Sequence, residues 1–227
     1  MRQTVKAGRV INRNYTLLFR DGKQFWKNTV EMIDKKYPAS DVNLTCYGCS
    51  DGSEPFTFVI SMFEWAKKLF DKCKPINAYD VDPKIIAQAK SGICNVNDED
   101  LYFISNNVLK KHYSEHFSMT QRTDNSFDIA VIPKKHITDK IKFGIADIFQ
   151  HIDTLKPMNK NGIFCRNFWN YLPKEKQGPL AEKLHDKTLR DGFIVIGDYD
   201  IRNNIPTILE RHNFKQDENN KMIFYAK

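Results

Sequence analysis

A chain of 227 residues has room for one well-cored domain carrying at most a small insertion. Its 41% apolar content and mean hydropathy of −0.55 fit a globular protein, no apolar run approaches the roughly 20 residues of a membrane helix, and no apolar core follows Met1-Arg-Gln-Thr-Val-Lys6, so neither membrane insertion nor export is expected. The five cysteines, an odd number without framework spacing, suit a reducing cytoplasm, and the net charge of +7 is scattered, which favours a solvated basic surface over nucleic-acid binding.

Residues 1–13 are basic and weakly patterned and are expected to form an arm ahead of a domain over 14–227. Asn14-Tyr-Thr16-Leu-Leu-Phe-Arg20 follows, with Asp21-Gly22 as a turn or cap. Phe25, Trp26, Val30, Met32 and Ile33 recur at helical spacing as far as Lys36, and Pro38 ends the helix. Val42, Leu44 and Cys46 then alternate with polar residues, the period of a strand. Gly48 and Gly52 make a tight turn, and Pro55 opens a helix to about Lys72 on Phe56, Val59, Ile60, Phe63, Ala66, Leu69 and Phe70.

Strand, glycine turn and helix start together form a cradle where backbone can approach a ligand and free N–H groups face it. Glu54 at its mouth suits hydroxyls or a cationic group better than a pyrophosphate, which it would repel. On spacing alone an ordinary strand–helix turn is an equal alternative. Cys46-x-x-Cys49 has no second CxxC, so zinc is not expected there.

Ile76-Asn-Ala-Tyr-Asp-Val-Asp82 reads as the second strand, and Pro83 opens a helix on Ile85, Ile86 and Ala89 that stops at Gly92. Asp80 lies where doubly wound folds grip a ribose, while Asp82, directly before Pro83, suits a helix cap. Residues 95–125 are polar and mixed, with a short helix compatible with 108–117. Within them His112-Tyr-Ser-Glu-His116 spells H-x-x-E-H, but a short polar segment offers neither the supporting helix nor the further ligand of a zinc peptidase. Phe127-Asp-Ile-Ala-Val-Ile132 and Ile141-Lys-Phe-Gly-Ile145 look like two strands joined through 133–140, which predicts a small antiparallel insert over about 95–145.

Ile163-Phe-Cys165 is a short strand that delivers Arg166-Asn-Phe-Trp-Asn-Tyr171 at its C-terminal end, where open α/β sheets bind ligands. Leu172-Pro173 starts a helix with Leu180, Leu184 and Leu189 on one face. A strand over 192–197, a helix over 205–212 and a last strand over 222–226 complete an α/β order.

Five of these segments match one family in order. Asn14-x-Thr16-x-x-x-Arg20 with Asp21 is similar to N-x-T-x-F-F-R-D, and Cys49-Ser-Asp-Gly-Ser-Glu-Pro-Phe56 to C-S-T-G-E-E-P-Y. Ala78-Tyr-Asp-Val-Asp82, with Ala89 and Gly92, resembles T-D-I-D…A…G. Phe143-x-x-x-Asp147-Ile148 resembles F-x-x-x-N-L, and Phe164-Cys-Arg-Asn-Phe-Trp-Asn-Tyr-Leu172 resembles F-C-R-N-V-x-I-Y-F. The chain therefore resembles the CheR family of chemotaxis receptor methyltransferases, protein-glutamate O-methyltransferases that use S-adenosyl-L-methionine and release S-adenosyl-L-homocysteine.

The resemblance implies a Rossmann-like class I methyltransferase fold: a mostly parallel doubly wound sheet with an antiparallel last strand and a small antiparallel β insert. It implies that Asn14, Thr16, Arg20 and Glu54 lie at the methionine end of the cofactor, Gly48 in the cradle, Asp80 on the ribose and Asp147 and Ile148 beside the adenine. Arg166 and Asn167 would line the pocket under the sulfonium, and Arg20 and Tyr171 would face the substrate carboxylate as the catalytic pair. It also implies a protein substrate such as a chemoreceptor or another signalling protein. The chain departs from the pattern in several places. Only about a dozen residues precede Asn14, where the family has a helical domain; Ser53 stands for a Glu, Asp147 for an Asn, and Trp169 and Asn170 for aliphatics. Two alternatives stay open: a small-molecule or nucleic-acid acceptor, although no patch of stacking aromatics with interleaved Lys and Arg is present, and a cofactor-binding module without turnover that docks through 95–145.

Overall fold

The computed structural model describes residues 18–38, 42–97, 109, 113–120, 128–158, 160–189 and 191–227. The arm over 1–13, Asn14, Thr16 and His112 lie outside the described residues.

Helix α1 (Gly22–Lys36) buries Phe25, Trp26, Thr29, Val30 and Ile33, one helical stripe, and ends at the extended Tyr37 just before Pro38. Strand β1 (Asn43–Tyr47) leads through the glycine turn to α2 (Ser53–Trp65), which is buried on nearly every side. The single helix expected to Lys72 is in fact two, because Ala66 leaves the helical region (φ −139°, ψ 58°) and a second piece, α3 (Lys67–Lys72), follows. The amide of Ala66 still bonds to the Met62 carbonyl, so the break turns the chain without orphaning that donor. Strand β2 (Ile76–Asp80) is followed by α4 (Pro83–Ser91), which has Asp82 accepting from the Lys84 amide at 2.8 Å and Gly92 in the left-handed region (φ 69°) as its stop.

The remaining strands are β3 (Cys94–Asn97), β4 (Phe117–Thr120), β5 (Asp128–Pro133), β6 (Ile141–Ile145), β7 (Asn161–Phe164), β8 (Phe193–Val195), β9 (Phe214–Gln216) and β10 (Ile223–Ala226). The helices between and after them are α5 (Lys135–Thr138), α6 (Ile148–His151), α7 (Lys174–Thr188), α8 (Asp198–Arg202) and α9 (Ile205–Arg211). Seven strands form the main sheet in the order β6-β2-β1-β7-β8-β10-β9. Its pairings are parallel except that β10 runs against both β8 and β9. This is the Rossmann-like methyltransferase architecture, doubly wound with an antiparallel last strand.

A separate sheet has the order β3-β5-β4, all antiparallel. The small insert thus exists but is built from 94–97, 117–120 and 128–133. The segment 141–145, expected to pair with 127–132, instead pairs parallel with β2, from Ile76↔Ile141 to Asp80↔Ile145, as an edge of the main sheet. The connection between β5 and β6 carries α5, so it returns the chain to the main sheet rather than making a hairpin.

The core lies on both faces of the main sheet. Side chains alternate along each strand: Cys46, Phe164, Phe193 and Val195 join the cluster with α1 to α4, while Tyr47, Ile163, Ile194 and Ile196 join the one with α7 and α9. The chain leaves β1 toward β2 on one side and β7 toward β8 on the other, so a switch point falls between β1 and β7. The crevice above their C-terminal ends is where such sheets bind ligands.

Candidate active site

The turn after β1 is held by strained but bonded backbone. Gly48 (φ 66°), Ser50 (φ 51°) and Gly52 (φ 90°) are all left-handed. A Cβ on Gly52 would lie 2.8 Å from the Phe56 ring, so only glycine fits. The Cys49 amide donates to the Tyr79 carbonyl (3.0 Å), which ties the turn to β2. Asp80, half-buried at the end of β2, accepts from the Ser50 amide with Oδ2 (3.0 Å) and from the Asp82 amide with Oδ1 (3.1 Å). It therefore braces the cradle while each oxygen keeps a further lone pair.

Arg166, 3% exposed, stands at the end of β7. Its guanidinium packs on the rings of Phe25 (4.8 Å) and Trp26 (4.6 Å) and donates to Glu54 Oε2 (2.8 Å) and to Asp21 Oδ2. Cys46 gives its thiol hydrogen to Glu54 Oε1 (3.2 Å). Burial pushes the Glu54 carboxyl up, and the Arg166 charge pulls it back. The Trp26 indole donates to the Arg20 carbonyl (2.7 Å), fixing the backbone beside this cluster, while Arg20 itself is exposed.

Asp147 is exposed and caps α6, accepting from the Phe149 amide (2.7 Å), and the adjacent Ile148 is buried in the core. The Ala146 amide donates to the Asp80 carbonyl (3.0 Å), which places this cap next to the end of β2. At the other end of α6 the Tyr47 hydroxyl lies 2.8 Å from His151 Nδ1, and the Tyr79 ring packs 4.2 Å away. Asn167 is left-handed (φ 58°), its amide donating to Asp200 Oδ2 at 2.6 Å. Tyr171 is 72% exposed at the end of a short turn whose Trp169 is buried and donates to the Cys165 carbonyl (2.9 Å).

The structure thus brings Glu54 and Arg166 into one ion cluster, with the Arg20 backbone beside it, and gathers Gly48, Asp80, Asp147, Ile148 and Asn167 on strand ends of the same side. Tyr171 stands exposed beyond them. Two carboxylates were not among the sequence candidates for the site. Asp21 was read as a turn or cap and as the last position of the N-x-T-x-F-F-R-D match, without a role in the site, and Asp200 carried no motif. The H-x-x-E-H segment has another use: His116 is fully buried with Nε2 2.6 Å from Glu64 Oε1, fastening the insert to α2. Among the described residues no group of three or more His, Cys, Asp or Glu side chains could hold a metal ion.

The family model described as "CheR methyltransferase, SAM binding domain" matches residues 14–217. The chain belongs to the CheR methyltransferase family. Among curated proteins it is 28% identical over 199 residues to the chemotaxis protein methyltransferase of Borreliella burgdorferi, covering 82% of this chain and 64% of that one. It is 23% identical over 206 residues to chemotaxis protein methyltransferase 2 of Vibrio cholerae, covering 89% and 67%. Among solved structures it aligns with a TehB-like SAM-dependent methyltransferase from Corynebacterium glutamicum at 12% identity and a TM-score of 0.46, covering 89% of this chain and 85% of that one.

The ligand of this family domain is S-adenosylmethionine, and the residues present suit it. The cradle admits no side chain at Gly52, Asp80 keeps lone pairs for a diol, and the buried Nε of Arg166 has no hydrogen-bond partner.

Proposed function

We propose that this CheR-family chain is a methyltransferase that esterifies a carboxylate on a protein, a glutamate side chain of a chemoreceptor or another signalling protein. The observation that carries the reading is the ion cluster of buried Arg166 and Glu54 with Asp21, set at the switch point of the sheet and beside the Asp80-braced cradle. That is the place where open α/β sheets bind ligands. The two curated relatives, both called chemotaxis protein methyltransferases, support the choice of acceptor.

Bound S-adenosylmethionine supplies a methyl group on a sulfonium, which an oxygen lone pair can displace in line. The protein's task is then to place donor and acceptor, because glutamate is already ionised near neutral pH and no general base is required. Asp80 takes the ribose hydroxyls on its remaining lone pairs, and Gly48 lets the backbone approach. Asp147 and Ile148 flank the adenine; as a carboxylate Asp147 offers acceptors only, which suits the adenine amino group. Asn14 and Thr16 bind the methionine end together with Arg20. Glu54, 4% exposed where Asp80 is half-buried, serves that end by fixing Arg166 rather than by direct contact. Arg166 and Asn167 line the pocket beneath the sulfonium. Exposed Arg20 and Tyr171 meet the acceptor, the guanidinium in a bidentate grip and the phenol as a donor. The five cysteines are all unpaired and buried, which supports a cytoplasmic site of action.

A second reading, a module that binds the cofactor and docks without turnover, draws on the small sheet, where among the described residues β3 and β4 each have β5 as a partner on one side only. Calorimetry with S-adenosylhomocysteine tests the site, and transfer of labelled methyl from S-adenosylmethionine to candidate receptor fragments, read as a base-labile ester, tests the acceptor. No heat and no competition at millimolar ligand would end the first reading. Binding without any transfer would leave the second.

A further inference from the structure

Asp200 lies beyond every residue the family resemblance assigns. It is fully buried in α8, the short helix after β8, at the end of the sheet that carries the crevice. Its Oδ2 accepts two amides at once, Gly197 at 2.8 Å and Asn167 at 2.6 Å. The first bond is local, the carboxylate reaching back to the residue ahead of its own helix, as half of a capping box does. The second reaches a different strand end, 33 residues earlier in the chain.

Three further observations make this a joint rather than a cap. Asn167 returns the contact, its side-chain Oδ1 accepting from the Tyr199 amide at 3.3 Å. The two loops also fit without slack, since a Cβ on Gly197 would lie 2.0 Å from Asn167 Oδ1. Asn167 is held left-handed (φ 58°), a conformation that persists where its surroundings over-determine it.

We propose that Asp200 is the positioning residue that locks the loops after β7 and β8 into one unit and so sets the direction in which Arg166 and Asn167 face the crevice. The proposal rests on the cofactor reading given above. Asp200 is faced by Arg166 and Cys165 from the β7 end, while its own helix carries the mutually paired Asp198 and Arg202. Burial raises its carboxyl to about 6, against the pull of the Gly197 and Asn167 amides and of Arg166. The charge-assisted grip on the two amides is therefore complete above that pH and weakens as pH falls through it.

The test has two arms on the intact chain. In the first, amide hydrogen exchange is followed at Asn167 and Gly197, without cofactor, in the wild type, Asp200→Ala and Asp200→Asn. Both amides are expected to exchange at least about tenfold faster in Asp200→Ala. Asp200→Asn keeps the shape and one acceptor oxygen and guards against a variant that fails to fold. In the second arm, S-adenosylhomocysteine affinity is measured from pH 5 to 8. The wild type should weaken roughly tenfold as pH falls through about 6, and Asp200→Asn should stay at the weaker level with that step removed. His151, held down by burial on the adenine side, contributes equally to both proteins and cancels in the comparison. Unchanged exchange of both amides overturns the proposal. So does an Asp200→Asn affinity profile that overlays the wild type, which would reduce Asp200 to a helix cap. If the wild type binds no S-adenosylhomocysteine at any pH, the cofactor reading fails, and the joint stands or falls on the exchange arm alone.

Discussion

Asp80→Ala separates the two tasks given to that carboxylate. In the structure it holds the Ser50 and Asp82 amides at 3.0 and 3.1 Å. Losing two such bonds at a half-buried site costs about 1–2 kcal/mol of stability after discounting for solvent. If the remaining lone pairs take the ribose hydroxyls, binding loses a further 1.5–3 kcal/mol or so, the scale of hydrogen bonds to a charged group, which weakens affinity roughly tenfold to a hundredfold. The assay is calorimetry with S-adenosylhomocysteine and its 2′-deoxy analogue on both proteins, with thermal unfolding alongside. The wild type should prefer the hydroxylated ligand, whereas Asp80→Ala should bind the two almost equally. A variant that keeps the wild-type preference would refute the ribose contact and leave Asp80 as a brace for the cradle.

Tyr171→Phe keeps the ring and removes the donor; transfer to a protein acceptor should slow about ten- to a hundredfold with cofactor affinity nearly unchanged, and an equal rate would make the phenol irrelevant. Gly162→Ala puts a Cβ 2.4 Å from the Phe193 ring and 2.9 Å from Leu44 in the middle of the sheet, so chemical denaturation should show about 1–3 kcal/mol lost to overpacking. His116→Leu removes the ring paired with buried Glu64, and a loss of about 3 kcal/mol is expected. A loss confined to a few tenths would mean that the insert does not depend on that tie.

What the sequence revealed was local. The alternation before Gly48, Pro55 opening α2, Asp82-Pro83 capping α4 and the acid at the end of β2 are each written within a few residues. So is the delivery of Arg166 and Asn167 at the end of β7. Partnership across the chain was not written in this way. Ile141-Lys-Phe-Gly-Ile145 has the composition of either a hairpin strand or a sheet edge, and only the sheet order decides, since strand periodicity names faces and not neighbours. Asp21 meets Arg166 across 145 residues, and Asp200 meets Asn167 across 33. A carboxylate that acts at such range looks, in sequence, like any turn or helix-start acid. The single helix read over 55–72 missed the break at Ala66 because apolar spacing continues through it into Leu69 and Phe70.

The small sheet leaves the main fold and rejoins it at nearly the same point. A Cβ on Gly92, just before β3, would sit 3.9 Å from Ile132 and Pro133, the last residues of β5. Once the two ends of a segment are held together, each doubling of its length adds only about 0.6 kcal/mol of loop-closure cost. Its contents can therefore be lengthened or shortened at small entropic cost without moving β2 or β6, and so without disturbing Asp80 or Asp147. The limit is set by what it buries against the body, namely Val96, Phe117 and Val131 in the shared core and His116 against Glu64. The small sheet can in this way change while the strand ends that carry Asp80 and Asp147 stay where they are.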